Sequence, residues 1–407
     1  MKKITCLMIS LVFCLSVLLA GANILSAAEV IKVGALIPYT GYFASDGDDM
    51  LKGIKMGADE INAKGGLQGK KIEVVIGDIG ELEPDKIATA VEKLVNRDKV
   101  DAIFTGYADS GADVTAVGKY DVPYFHADTT HISTDLVRKN MDKYWNIFMM
   151  DDDEGLYGPW VYEASIGRLG IEFRNKKAAL ITADDKYSKW ITEDFKENLK
   201  AEGWEVMVDD LVPYGTSEWG ATLAKIRAKD VSWILFIDLV PADEATFIRQ
   251  FLERPINAHL YLMFGPSIPE FLELTGDTAN GTYWCTLIAP LMHTEKGKSW
   301  AGRFEKKYGR SPGFSTSAFT YDAVHMWARA ATEVGNEKDY KAISNYIRKT
   351  PYEGVCGKYV FDPEDQHALT GDGKIPVHLY QIQNKQHKLL VLGDTVVSPY
   401  MTPPWFK

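Results

Sequence analysis

Short apolar runs alternate along this chain with segments whose apolar residues recur every three or four positions. Residues 31–38 (IKVGALIP) are nearly all apolar and close on a proline, which predicts a buried strand. Met50, Ile54, Ala58 and Ile61 then fall on one helical stripe. They predict a helix over 46–63 that Gly65 and Gly66 stop. Strands over 71–78, 101–105, 121–127 and 144–149 and a helix over 85–96 continue the alternation. Such a pattern argues for βαβ units around a parallel sheet. It restarts after about residue 150, with strands over 177–182, 205–212, 232–238 and 259–264 and a helix over 187–202. A single sheet of about twelve strands would be unusually wide, so two α/β lobes are expected. The tail differs: 359–362, 378–383 and 388–392 read as strands joined by polar turns.

The N-terminus stands outside this pattern. Lys2 and Lys3 precede an uncharged stretch from Ile4 to Ala22, and Ser26, Ala27 and Ala28 supply small residues for cleavage. This order predicts a secretory signal peptide over 1–28, with an uncleaved anchor as its rival. Bulky Phe13 before Cys14 argues against lipid attachment. Losing the two lysines takes the formal charge from −11 to −13. An acidic chain without a basic stripe disfavours nucleic acid. The composition, 46% hydrophobic and 25% charged, is that of a folded chain rather than a disordered one. Only Cys285 and Cys356 lie beyond the signal segment. An oxidising compartment would permit a disulfide between them.

Several chemistries find no motif. No G-x-G-x-x-G, Walker-type loop or G-x-S-x-G elbow occurs, so no nucleotide cofactor or hydrolase nucleophile is expected. His126 and His131 flank Asp128, but no third or fourth ligand lies near them in sequence, so no metal is expected. Asp151, Asp152, Asp153 and Glu154 precede a helix, where acids complement the helix dipole.

Residues 31–41 (IKVGALIPYTG), 57–66 (GADEINAKGG) and 69–75 (GKKIEVV) form a recognisable series. With 357–362 (GKYVFD) and 402–405 (TPPW), the chain resembles the leucine/isoleucine/valine-binding family of type I periplasmic solute-binding proteins. The resemblance implies an α/β fold of two Rossmann-like lobes with a three-crossing hinge. The first lobe would hold 29–150 plus 284–357, and the second 151–283 plus 358–407, with 357–362 as hinge strand. It implies a non-enzymatic, monomeric receptor in the periplasm that hands a small solute to an inner-membrane ABC permease. No cofactor is implied. Lobe closure around the ligand belongs to the same expectation.

The family pattern also implies site residues. Ser110 in 106–110 (GYADS) takes the place of a carboxylate-binding hydroxyl, and Tyr107 adds aromatic surface. Ala127 and Thr129 match the next loop's contacts, and Tyr187 matches a second-lobe tyrosine. Helix capping is the alternative role for Ser110 and Thr129. Ser267 stands where amino-acid receptors carry an ammonium-binding acid. Asp46 and Asp238 are therefore candidates for that role, with N-capping the alternative for Asp46. Branched-chain or related amino acids are the expected ligands. The alternative is an aromatic or other organic acid without an amine. A hydrolase or a sensor module on the same architecture is the reading from another class.

Overall fold

A computed structural model of the protein describes residues 29–109 and 111–406. The expected signal peptide and Ser110 lie outside the described residues. Two separate sheets form. The first contains β1 (Val30–Ile37), β2 (Lys71–Asp78), β3 (Ala102–Phe104), β4 (Tyr124–His126) and β5 (Ile147–Met149). They run parallel in the order β2-β1-β3-β4-β5. The second begins with β6 (Lys177–Ala183), β7 (Glu205–Val212), β8 (Trp233–Asp238), β9 (His259–Phe264) and β10 (Tyr283–Thr286). Its parallel part has the same winding, β7-β6-β8-β9-β10. A two-strand ladder of β11 (Tyr352–Glu353) and β12 (Lys358–Tyr359) stands apart. Then β13 (His378–Gln383), β14 (Gln386–Leu392) and β15 (Thr395–Val396) extend the second sheet in antiparallel fashion. The central strands are apolar on both faces because helices cover both sides, as parallel sheets require. Among the described residues no helix is long and apolar enough to cross a membrane.

The chain passes between lobes after β5, after β10 and just before β13. Two expected boundaries move. β10 pairs with β9 and β13, so 284–286 belong to the second lobe rather than the first. Residues 358–375 stay with the first lobe, because Tyr359, Phe361, Ala368 and Ile375 bury in its core. The expected hinge strand over 357–362 instead holds β12 of a local hairpin with β11, whose turn lies at Val355 and Cys356. Buried Asp322 pins it, accepting hydrogen bonds from the backbone N–H of Val355 (2.8 Å) and Cys356 (3.0 Å) and from the Tyr359 hydroxyl (3.0 Å).

Close helix packing backs the first sheet. The Ala44–Ala63 helix lies along the Thr316–Val334 helix with glycines at the contact. A Cβ at Gly53 would stand 2.2 Å from the Ser317 carbonyl oxygen, and one at Gly57 would stand 3.1 Å from Val324. The loop before the Thr316–Val334 helix reaches across to the other lobe. Phe314 donates its N–H to the Ser267 carbonyl at 2.8 Å and packs on Trp284, Tyr380 and His387.

The two cysteines are not bonded to each other. Cys285 is buried in the second-lobe core on β10, and Cys356 in the first-lobe core, so each is held by different packing. The bridge that an oxidising compartment would permit is therefore not formed.

Candidate functional site

Both sheets point the carboxyl ends of their parallel strands at one interlobe cavity of about 260 Å3. Open α/β sheets present their ligand sites at that end. The first lobe contributes Phe43 after β1, Tyr107 and Asp109 after β3, and Ala127 and Asp128 after β4. The second contributes Asp185 and Tyr187 after β6, Tyr214 after β7, Leu239 after β8 and Phe264 at the end of β9. The passages between lobes supply Asp151, Glu154, Thr286 and Ile288.

The lobes touch across this cavity. Phe43 buries against Leu239 and Val240 of the other lobe and meets Tyr214 edge-on, with ring centroids 5.2 Å apart. Tyr107 meets Phe264 edge-on at 5.7 Å. Lys186 pairs with Asp109 across the gap at 3.7 Å. Edge-to-face rings favour these separations, so the contacts help hold the lobes together. Phe264 adopts φ 59°, a left-handed conformation unusual for a bulky residue. Such strain concentrates at ligand clamps.

The deepest polar groups are carboxylates. Asp151 is 3% exposed and Glu154 4% exposed. The Thr129 hydroxyl donates to Asp151, and the Tyr187 hydroxyl donates to one Glu154 oxygen. Burial pushes Asp151 up to about 7. Burial, then the neighbouring Asp151 and Asp128, push Glu154 well above the usual carboxylate range. A buried carboxylate near others of its sign resists ionisation unless a cation joins it.

Of the residues singled out in the sequence, Tyr107, Ala127 and Tyr187 line the cavity. Thr129 stands one layer back and orients Asp151. Thr130, not Thr129, caps the following helix, accepting from the Ser133 N–H. Asp46 is not on the cavity wall and is not an N-cap. It lies in the first helical turn, accepts from the Thr316 hydroxyl at 2.6 Å, and is pushed by burial to about 7. Asp238 is fully buried behind Leu239, where it accepts from the Val240 N–H at 2.7 Å. Ser267 is buried on the rear side, beside the loop carrying Phe314. Both Asp46 and Asp238 are thus walled off from the cavity by their own neighbours.

Sequence reasoning passed over Asp151 and Glu154 as helix-end acids. Asp153 does play that part, accepting from the Gly155 N–H at 2.9 Å. The other two turn inward. The signal available was position: the acids directly follow β5, where the chain leaves the first sheet. His126, Asp128 and His131 do not converge on a metal. His126 stacks on Tyr124 with centroids 5.1 Å apart, and His131 packs on Trp190 at 4.9 Å. Asp362, Asp365 and His367 come close enough to share an ion. There, however, the positive charge is already supplied by His367.

His367 ties the first interlobe passage to the first lobe. Its ring pairs with Asp365 through Nδ1 and with Asp152 through Nε2, the latter at 3.3 Å. Asp152 also accepts from the Thr370 N–H (2.8 Å) and hydroxyl (2.7 Å). Burial opposes the charged imidazolium, but Asp152 and Asp365 outweigh it and raise His367 to about 10. The protonated form is favoured by folding, so its stabilisation is complete below about pH 6.5 and is lost as pH rises through about 10. Between those limits the wild type should lose up to about 1.4 kcal/mol per pH unit more than His367→Gln. Denaturant melts at pH 6, 8 and 10 would read this, and parallel curves for the two proteins would refute it.

The comparisons with known proteins agree with this architecture. A profile described as periplasmic binding protein matches residues 30–386. The Leu/Ile/Val-binding protein BraC3 of Rhizobium johnstonii is 25% identical over 321 residues, covering 78% of this chain and 83% of that one. A Silicibacter pomeroyi protein solved as a candidate branched-chain amino acid ABC transporter superposes with TM-score 0.81 at 29% identity, covering 93% of this chain and all of that one. The branched-chain amino acid transporter substrate binding protein of Streptococcus pneumoniae, solved with isoleucine, gives TM-score 0.76 at 25% identity, covering 89% of this chain and all of that one. Two parallel sheets wound alike, a ligand-sized cavity between their strand ends and a profile match across nearly the whole chain lead to one conclusion: the chain belongs to the periplasmic binding protein family, whose members are solute-binding receptors rather than enzymes.

Proposed function

We propose that this chain is the extracytoplasmic receptor of an ABC importer and that it closes its lobes around a small amine-bearing solute of the amino-acid class. In this reading residues 1–28 are a removed signal peptide, and the receptor works as a monomer delivering its solute to an inner-membrane permease. The observation that carries the ligand class is Glu154, a buried carboxylate on the cavity wall beside Asp151. An ammonium group would neutralise it and donate hydrogen bonds to its oxygens, offsetting the cost of burying charge. Tyr187 holds Glu154 from the second lobe, so a ligand bound there is contacted by the group that closure brings in.

The same lining argues against a simple organic acid. Among the described residues the wall carries no arginine or histidine, and Lys186 is engaged with Asp109. A structural neighbour from R. palustris was solved with benzoate, but at 19% identity it shares only the fold. Ligands that bind only the closed native form raise the melting temperature by mass action. A thermal-shift screen of matched amines, amino acids and deaminated carboxylates is the test. Stabilisation by amine-bearing compounds is expected. Stabilisation by the deaminated carboxylates alone would sink the ligand class.

A further inference from the structure

The cavity wall holds more acidic side chains than the one ammonium of an amino acid can engage. Asp109 is paired with Lys186. Asp185 is also engaged, capping Ser188 (2.9 Å) and accepting from the Tyr214 hydroxyl (2.6 Å). Among the described residues no basic side chain hydrogen-bonds to or pairs directly with Asp151 or Glu154, although His367 acts on Asp151 from a distance, and each acid is more than nine-tenths buried. Among the described residues no donor reaches the second oxygen of Glu154, which lines the cavity. A zwitterion would bring one ammonium to these acids and one carboxylate into the same acidic enclosure. An ammonium that ionises one of these acids is matched by it, so the zwitterion's own carboxylate would remain as an uncompensated buried charge.

The remaining wall has the character that suits a cation. Phe43, Tyr107, Tyr157, Tyr187, Tyr214 and Phe264 surround the space. Phe43 meets Tyr107 at 6.3 Å and Tyr214 at 5.2 Å, and Tyr107 meets Phe264 at 5.7 Å, all edge-on. Rings set at right angles to one another offer both faces and edges to a molecule among them, and ring faces attract cations. Acids at the floor and rings at the sides form one arrangement around one cavity.

We infer that the cavity selects a small organic cation, a protonated amine of net positive charge that needs no carboxylate. Its ammonium donates to Glu154 and Asp151, and its carbon skeleton lies among the rings. This rests on the receptor reading above and narrows its ligand class from amino acids to amines without a free carboxylate. Burial raises both acids, Asp151 to about 7 and Glu154 well above the usual carboxylate range, and an arriving ammonium favours their ionised state.

One carbon skeleton in three charge states tests the inference. Protein unfolded in guanidinium and refolded, to free it of carried ligand, is titrated by calorimetry at pH 7.5. The probes are isoamylamine and leucinamide (cationic), leucine (zwitterionic) and 4-methylpentanoate (anionic). The cations should bind about tenfold or more tighter than leucine, a difference of roughly 1.4 kcal/mol, with the anion weakest. Leucine binding as tightly as leucinamide, or failure of both cations to bind at 10 mM (about the weakest Kd of interest), overturns the inference and leaves the receptor reading intact. Tightest binding by 4-methylpentanoate overturns both. Glu154→Gln keeps the side-chain shape and should shrink the leucinamide-to-leucine ratio toward one. An unchanged ratio in folded Glu154→Gln refutes the Glu154 contact, and Asp151→Asn repeats the measurement if the first variant does not fold.

Discussion

Replacing Gly53 by valine is expected to destabilise the first lobe by about 3 kcal/mol or more, the upper range for overpacking a tight interior. The cause is backbone proximity rather than helix propensity. A Cβ at this position would overlap the Ser317 carbonyl oxygen at 2.2 Å and the Thr320 hydroxyl at 2.4 Å. Ser317 and Thr320 lie on the Thr316–Val334 helix, whose backbone cannot recede without moving the core beneath it. Gly302 supplies the control. It sits within the Glu295–Tyr308 helix, and a Cβ there meets nothing within 4 Å. Gly302→Ala should therefore stabilise by up to about 1 kcal/mol through helix propensity alone. Calorimetric melts of the two variants should move in opposite directions. A Gly53→Val protein that melts with the wild type would show the helices to be farther apart than described.

Asp322→Ala should cost about 3 kcal/mol or more, because several buried donors lose their acceptor together. Three donors lose their acceptor at once: the N–H groups of Val355 and Cys356 and the Tyr359 hydroxyl. Two of them are backbone groups in a buried turn, where an unmet donor costs about 1–3 kcal/mol. Asp322 is also held away from ionisation by burial, so these bonds orient a group that would otherwise be costly to bury. The loss has a local signature. Cys356 is fully buried. In the variant, iodoacetamide should reach Cys356 well before Cys285, under conditions where the wild type protects both. Equal labelling of the two thiols would show that Asp322 does not pin this turn.

The fold was largely legible because buried parallel strands leave long apolar runs. β2, β7, β9 and β13 form over the ranges that their apolar patterning predicts. Lobe membership was less legible near residue 360. Phe361 goes to the first lobe because it meets Phe148 at 5.2 Å, a contact made across more than two hundred residues of chain. No local pattern encodes such a choice. The cavity loops were legible as strand ends, and the ligand-facing acids were not. Asp46, Asp151, Asp153, Glu154 and Asp238 are alike in sequence terms, each beside a helix start or strand end. Asp153 caps, Asp46 and Asp238 bury behind the wall, and Asp151 and Glu154 turn inward. One residue of shift along a tight turn decides among these outcomes, and it depends on what the other lobe presents. Tyr187, from that lobe, is the partner that fixes Glu154.

Phe314 changes what opening can mean for this receptor. It springs from the first lobe yet is seated among Trp284, Tyr380 and His387 of the second, behind the passages that join them. A ring lodged there acts as a fulcrum. If the front edges carrying Phe43 and Leu239 part while this rear contact holds, the motion is a swing about the back rather than a separation of halves. A permease contacting the front edges would then feel nearly all of the displacement, and one contacting the rear almost none.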